Sequence, residues 1–149
     1  MRRSQVILRM PVDNISVTLI LHDGVREGAM LFVPPTEDIA RLIGPQGERF
    51  LPMFVGSDLR LVARDAIACI GIPSVPRIHH EGDLPVEVQR AGVTLRSGVV
   101  LEGELRWTGV AGQARTADYL NADGETIELH TTDTTFHIVK SHISMVTER

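Results

Sequence analysis

Six histidines are the side chains of this sequence best suited to metal or proton chemistry. His79-His80-Glu81-Gly82-Asp83 sets nitrogen and oxygen donors in a row. Adjacent residues of an extended chain point to opposite sides, however, so two neighbouring imidazoles rarely reach one ion, and a solvated connector is the simpler expectation. His130 and His137 flank a hairpin turn. If Leu129 faces Ile138 in the core, His130 faces His137 on the outer surface, where two imidazoles could clamp a metal or respond to pH. Spacing fixes no third ligand, so no metal is expected, and His130 and His137 are only weak candidates for one. Asp118 with His130 or His142 can be drawn as an acid–base pair, but Asp118 and Asn121 have a simpler use in bonding the backbone around a helical turn. The glycines sit at turns and strand bends rather than in a strand-to-helix phosphate loop, and there is no nucleophile motif or zinc-protease helix. Neither an enzyme nor a cofactor is expected.

The charge balance points the same way. The formal net charge is −4, where proteins that grip nucleic acid through phosphates concentrate positive charge on the binding face. A general nucleic-acid binder is disfavoured, and no DNA partner is expected. Apolar residues make up 43 % of the 149 residues and aromatic ones 4 %, so a core must be filled by Val, Ile, Leu and Met. The one cysteine, Cys69, lies in the apolar run Ala66-Ile67-Ala68-Cys69-Ile70; it can form no internal disulfide, and a reducing cytoplasm is expected. Arg9, Pro11 and Asp13 interrupt the first apolar stretch before it could serve as a signal or membrane span, so no membrane is expected either.

The elements that must position these residues occur twice. Val17-Thr18-Leu19 matches Val93-Thr94-Leu95, and the turns His22-Asp23-Gly24 and Arg96-Ser97-Gly98 each lead into a strand with an internal glycine, Gly28 or Gly103. A strand normally avoids glycine, so a bend that curls a small sheet is expected at both. A helical turn follows in each copy, over 36–43 with Thr36 as its N-cap and over 114–121, and each ends at a glycine-containing turn. Leu61-Val62-Ala63-Arg64-Asp65-Ala66-Ile67 parallels Ile138-Val139-Lys140-Ser141-His142-Ile143 as two strands divided by a polar kink. Alternation nominates Val17, Leu19, Leu31, Val33, Phe50, Leu61, Ile67, Val93, Leu95, Leu105, Ile127, Leu129, Ile138, Ile143 and Val146 as core. The expected fold is mainly β: two tandem five-stranded antiparallel barrels of SH3-like size, each with one short helical turn. The first spans 1–72, a Pro/Gly linker 73–85 and the second 86–149, with a single fused sandwich as the competing architecture.

On Val93-Thr94-Leu95, Gly98, Gly103-Glu104-Leu105, Asp118-Tyr119-Leu120-Asn121 and the ending 138–146, the second copy resembles the Sm-like family, including its bacterial Hfq branch. That resemblance implies a small open barrel, assembly into rings, and RNA contacts from the kink before the last strand, here Lys140, Ser141 and His142, with Tyr119 and Arg115 as further candidates. Two functions follow as expectations. One is a non-enzymatic interaction module that pairs with itself or another protein through exposed strand edges, up to a ring of half as many subunits as a single barrel needs. The other is an RNA-binding regulator using a local basic rim.

Overall fold

The computed structural model describes residues 13–34, 38–74, 86–109 and 115–149. Its first half contains β1 (Asp13–Leu21), β2 (Arg26–Val33), α1 (Ile39–Ile43), β3 (Phe50–Val55), β4 (Asp58–Ala63) and β5 (Ile67–Pro73). The second contains β6 (Val86–Leu95), β7 (Val100–Thr108), α2 (Thr116–Asn121), β8 (Thr126–His130), β9 (Thr134–Val139) and β10 (Ile143–Glu148). A 3₁₀ turn joins the last two strands of each half, Arg64–Ala66 and Lys140–His142, at the expected polar kinks. The protein is thus mainly β. Residues 75–85 of the expected connector, with His79 and His80, lie outside the described residues, as does Thr36. The N-cap of α1 is Asp38, whose Oδ1 accepts the Arg41 N–H at 2.8 Å. Among the described residues no helix is long and apolar enough to cross a membrane.

All ten strands form one antiparallel sheet in the order β10-β6-β7-β8-β9-β5-β1-β2-β3-β4. Where two tandem five-stranded barrels were the expectation, the strands form one open sheet that runs through both halves, with β9 pairing with β5 of the other half. The composition of β5 supplies the reason. Ile67, Ala68, Cys69 and Ile70 are apolar on both faces and at most 1 % exposed, as suits an interior strand, whereas one face of an outer strand must tolerate water. Burial also pushes the Cys69 thiol far above its ordinary pKa, in keeping with an inert small hydrophobe.

The two halves repeat in detail. Leu21 N–H donates to the Val25 carbonyl and Gly24 N–H to that of Leu21, and the same pair of bonds recurs at Leu95, Val99 and Gly98. Gly24 and Gly98 hold φ of 92° and 99°, which favours glycine at both turns. These bonds equate Leu19-Ile20-Leu21 with Val93-Thr94-Leu95, two residues from the match that sequence likeness suggests. Gly103 is therefore the counterpart of Ala29 rather than of Gly28. A Cβ on Gly103 would lie 2.6 Å from the His130 carbonyl oxygen, while one on Gly28 meets nothing within 4 Å. The expected backbone constraint holds at Gly103, where β7 approaches β8, and has no steric counterpart at Gly28. Further along, β1–β5 and β6–β10 carry the same register shift, just after Ile67 and just after Ile143.

Each half has an apolar core, and each core borrows across the junction. The second-half core of Leu95, Leu105, Ile127, Leu129 and Ile138 takes in Ile20, Ala68 and Cys69 from the first half. The first-half core of Leu19, Leu31, Ile43, Met53 and Ile70 takes in Val139 from the second. Two residues nominated as core are exposed instead, Phe50 at 56 % and Leu61 at 67 %, because β3 and β4 end the sheet and none of the described residues covers these positions on their outward face.

Candidate functional site

The 3₁₀ turn Lys140–His142 stands where the polar kink was read, but its charges are committed locally. Lys140 Nζ donates to the Ala122 carbonyl at 2.8 Å, and its N–H donates to that of Glu125. Arg64, at the matching place in the first half, donates from Nη1 to the Gly47 carbonyl. In both halves the cation that opens the 3₁₀ turn ties down the loop between helix and third strand, a structural use that repeats with the fold. His142 Nε2 lies 3.0 Å from the Asp65 carbonyl oxygen, bridging the two kinks. Ser141 and His142 line a cleft of about 230 Å³ between the halves, together with Arg64, Asp65 and Glu125, so its walls carry carboxylates as well as cations. Replacing Lys140 by methionine, which keeps the stem and removes the donor, is expected to lower stability by about 1 kcal/mol in a urea titration.

Tyr119 and Arg115 stand elsewhere. The Tyr119 ring stacks on Trp107 with centroids 5.0 Å apart, and its hydroxyl accepts the Glu128 N–H. Arg115 forms an ion pair with Asp118 at 3.0 Å at the start of α2, which holds the Asp118 carboxyl below its ordinary range and occupies that carboxylate at the helical turn. Of the five expected RNA-contacting residues, Ser141 and His142 line one cleft and Arg115 lines another with Trp107, while Lys140 and Tyr119 line neither.

The histidine pair needs a correction. The β8–β9 turn closes tightly, with Thr131 N–H on the Thr134 carbonyl and Thr134 N–H on Thr131 Oγ1. This sets Leu129 opposite Phe136, so His130 faces Thr135 and His137 faces Glu128, each partner two residues from the expected one. Among the described residues no group of three or more His, Cys, Asp or Glu side chains is placed to hold a metal ion. His137 is 9 % exposed and its Nδ1 is buried without a hydrogen-bond partner among the described residues. Burial depresses its pKa below the ordinary 6.5, an effect that the Glu128 and Asp38 carboxylates oppose in part. A depressed folded-state pKa means that stability is fully present above pH 6.5 and is lost as the pH falls through the lower folded value. His137→Leu, which installs the residue the repeat carries at Leu61, is expected to flatten the fall in Tm between pH 7 and pH 5. An unchanged slope would place the acid sensitivity elsewhere.

The β5–β9 junction is the most distinctive feature of the molecule, and its two strands have counterparts at the ends of the sheet. Arg64 and Lys140 open the two 3₁₀ turns, 76 residues apart, and the same spacing carries Ile67 to Ile143 and Val62 to Ile138. So β4 corresponds to β9, and β10 to β5. Burial differs sharply between the counterparts: β9 and most of β5 are buried, while β4 is exposed over Asp58–Leu61 and β10 shows Met145 to solvent. Leu59 at 57 %, Leu61 at 67 % and Met145 at 58 % correspond to Thr135, His137 and Cys69, none more than 9 % exposed. At the two ends of the sheet Leu59, Leu61 and Met145 are thus exposed where their internal counterparts are covered. Sequence reasoning nominated Leu61 as core and missed it as surface; the signal, an apolar strand at the end of a sheet, is readable only with the strand order. No family model, curated protein or solved structure matches the chain.

Proposed function

We propose that this protein is a non-enzymatic assembly module, built from two Sm-like barrel halves, that joins copies of itself by pairing β10 of one chain with β4 of the next. The observation that carries this reading is the β5–β9 junction: the chain already makes the contact once between its own halves, and the two strands that would make it again stand at opposite ends of the sheet, with no further strand beside them among the described residues. Transferring the internal register puts Met145 opposite Val62, Val146 opposite Leu61 and Arg149 opposite Asp58. Leu61 and Met145 are then covered as His137 and Cys69 are, and Arg149, whose guanidinium pairs with Glu102 at 2.7 Å within the chain, comes opposite Asp58. Because the two edges differ, the contact is head-to-tail; it closes into a ring when the rotation per chain allows and otherwise extends as a filament.

The Sm-like reading of each half draws support from the shared strand order, last strand beside first, and from the 3₁₀ turn between the last two strands. An RNA-binding reading would have to rest on Ser141 and His142 in a cleft that also holds Asp65 and Glu125, carboxylates that repel phosphate. A cytoplasmic setting suits the one cysteine, buried as a thiol. Sedimentation velocity over a concentration series tests the proposal. Species at integral multiples of the chain mass are expected, and a monomer at every concentration would overturn it.

A further inference from the structure

The two helices are unequally covered. α1 lies against β9: Ile39 and Ile43 share a core with Val139, and the Asp38 carboxylate acts on His137. Ile43 is consequently 3 % exposed. In the second half, Leu120 holds the same place, fifth after the N-cap, yet it is only half-buried and rests on the edge of its own core. At the other end of the sheet Leu61 and Ala63, the counterparts of His137 and Val139, have no helix above them among the described residues. Their outward neighbours on β3 are apolar as well, since Phe50 pairs with Ala63, Pro52 with Leu61, and Phe54 with Leu59.

We infer that in the assembly α2 of one chain docks on the outward face of β4 of its neighbour, with Leu120 over Ala63 and Leu61, as α1 docks on β9 within the chain. This docking rests on the β10–β4 pairing, which alone brings α2 to that face. It accounts for two observations at once: a helix residue left half-covered and a strand face left apolar. It also names the residue types that differ between the contacts. Inside the chain the covered position is His137, flanked by Glu128 and His130 on β8 and by Asp38 from α1, whereas between chains it is Leu61, flanked by Pro52 and Phe54. Apolar cover of an apolar face is the match expected of a contact that must form between separate molecules.

Cysteine pairs test the two contacts separately in the full chain, since Cys69 is buried and out of reach. Val62→Cys with Met145→Cys probes the strand pairing, and Ala63→Cys with Leu120→Cys probes the helix docking, each treated with a short bis-maleimide. Ladders at multiples of the chain mass on a denaturing gel are expected from both. A ladder from the first pair alone overturns the helix docking and leaves the strand pairing standing. No ladder from either overturns both. Because Leu120 also packs in its own chain, Asn121→Cys, at an exposed position, replaces it in a parallel variant with Ala63→Cys, and absence of a ladder there likewise counts against the docking.

Discussion

Leu61→Lys combined with Met145→Lys is expected to leave a folded chain that no longer assembles. Both side chains are more than half exposed within the chain, at 67 % and 58 %, so exchanging them for lysine removes no core contact and should move the monomer's stability by less than about 0.5 kcal/mol. Between chains the situation reverses. Each position corresponds to one that is nearly or fully buried at the β5–β9 junction, and the transferred register places both on paired strands. Covering either side chain contributes on the order of 1–2 kcal/mol, and a lysine there gives up that apolar contact and must lose hydration. A combined loss of about 3 kcal/mol corresponds to a roughly hundredfold weaker contact, since each factor of ten is about 1.4 kcal/mol. Sedimentation of parent and variant at matched concentrations measures this, with circular dichroism to confirm the fold. If the variant assembles as the parent does, the free edges are not the contact.

The second large effect is on folding. Gly103→Val is expected to cost about 3 kcal/mol, or roughly 10 °C in Tm for a chain of this size. The added Cβ would sit 2.6 Å from the His130 carbonyl oxygen and 3.1 Å from Leu129 Cγ. The first contact is with backbone that cannot rotate away, so β7 and β8 must separate at the point where Glu104 pairs with His130 and Leu105 with Leu129. Leu105 and Leu129 are fully buried, and parting them opens the second-half core. Gly28→Val serves as the contrast, with nothing within 4 Å of its added Cβ and an expected change within about 0.5 kcal/mol. Equal damage at the two glycines would mean that both act through backbone conformation rather than through the close approach seen at Gly103 alone.

Much of the architecture is written in local sequence. Alternation of Val, Ile and Leu with polar residues marks the strands, Asp23-Gly24 and Ser97-Gly98 mark the tight turns, and the polar triplets Arg64-Asp65-Ala66 and Lys140-Ser141-His142 mark the 3₁₀ kinks. These signals are legible because each depends on residues a few positions apart. The duplication is legible for the same reason, although its register was not: Val17-Thr18-Leu19 and Val93-Thr94-Leu95 look alike, yet hydrogen bonds at the turns align the halves two residues away. The period of two along a strand keeps the same faces inward under that shift, so the pattern alone could not detect it. The His130–His137 pairing failed by a similar margin, because the tightness of the Thr131–Thr134 turn, set by side-chain bonds, decides the register of the whole hairpin.

What the sequence by itself determined is that this chain is mainly β, duplicated, and cored by aliphatic side chains, since these follow from local pattern and composition. What only the tertiary structure decided is which edges are used up and which remain. The counterpart strands β4 and β9 both mix apolar with polar residues, and nothing local distinguishes the one buried between neighbours from the one at the end of the sheet. Phe50 and Leu61 were read as core on that account, and the pairing of β9 with β5 left them on the outside. Strand pairing is a contact between residues far apart in the chain, satisfied by backbone hydrogen bonds that every residue offers equally, so the choice of partner is made by the assembled sheet and not by any segment of it.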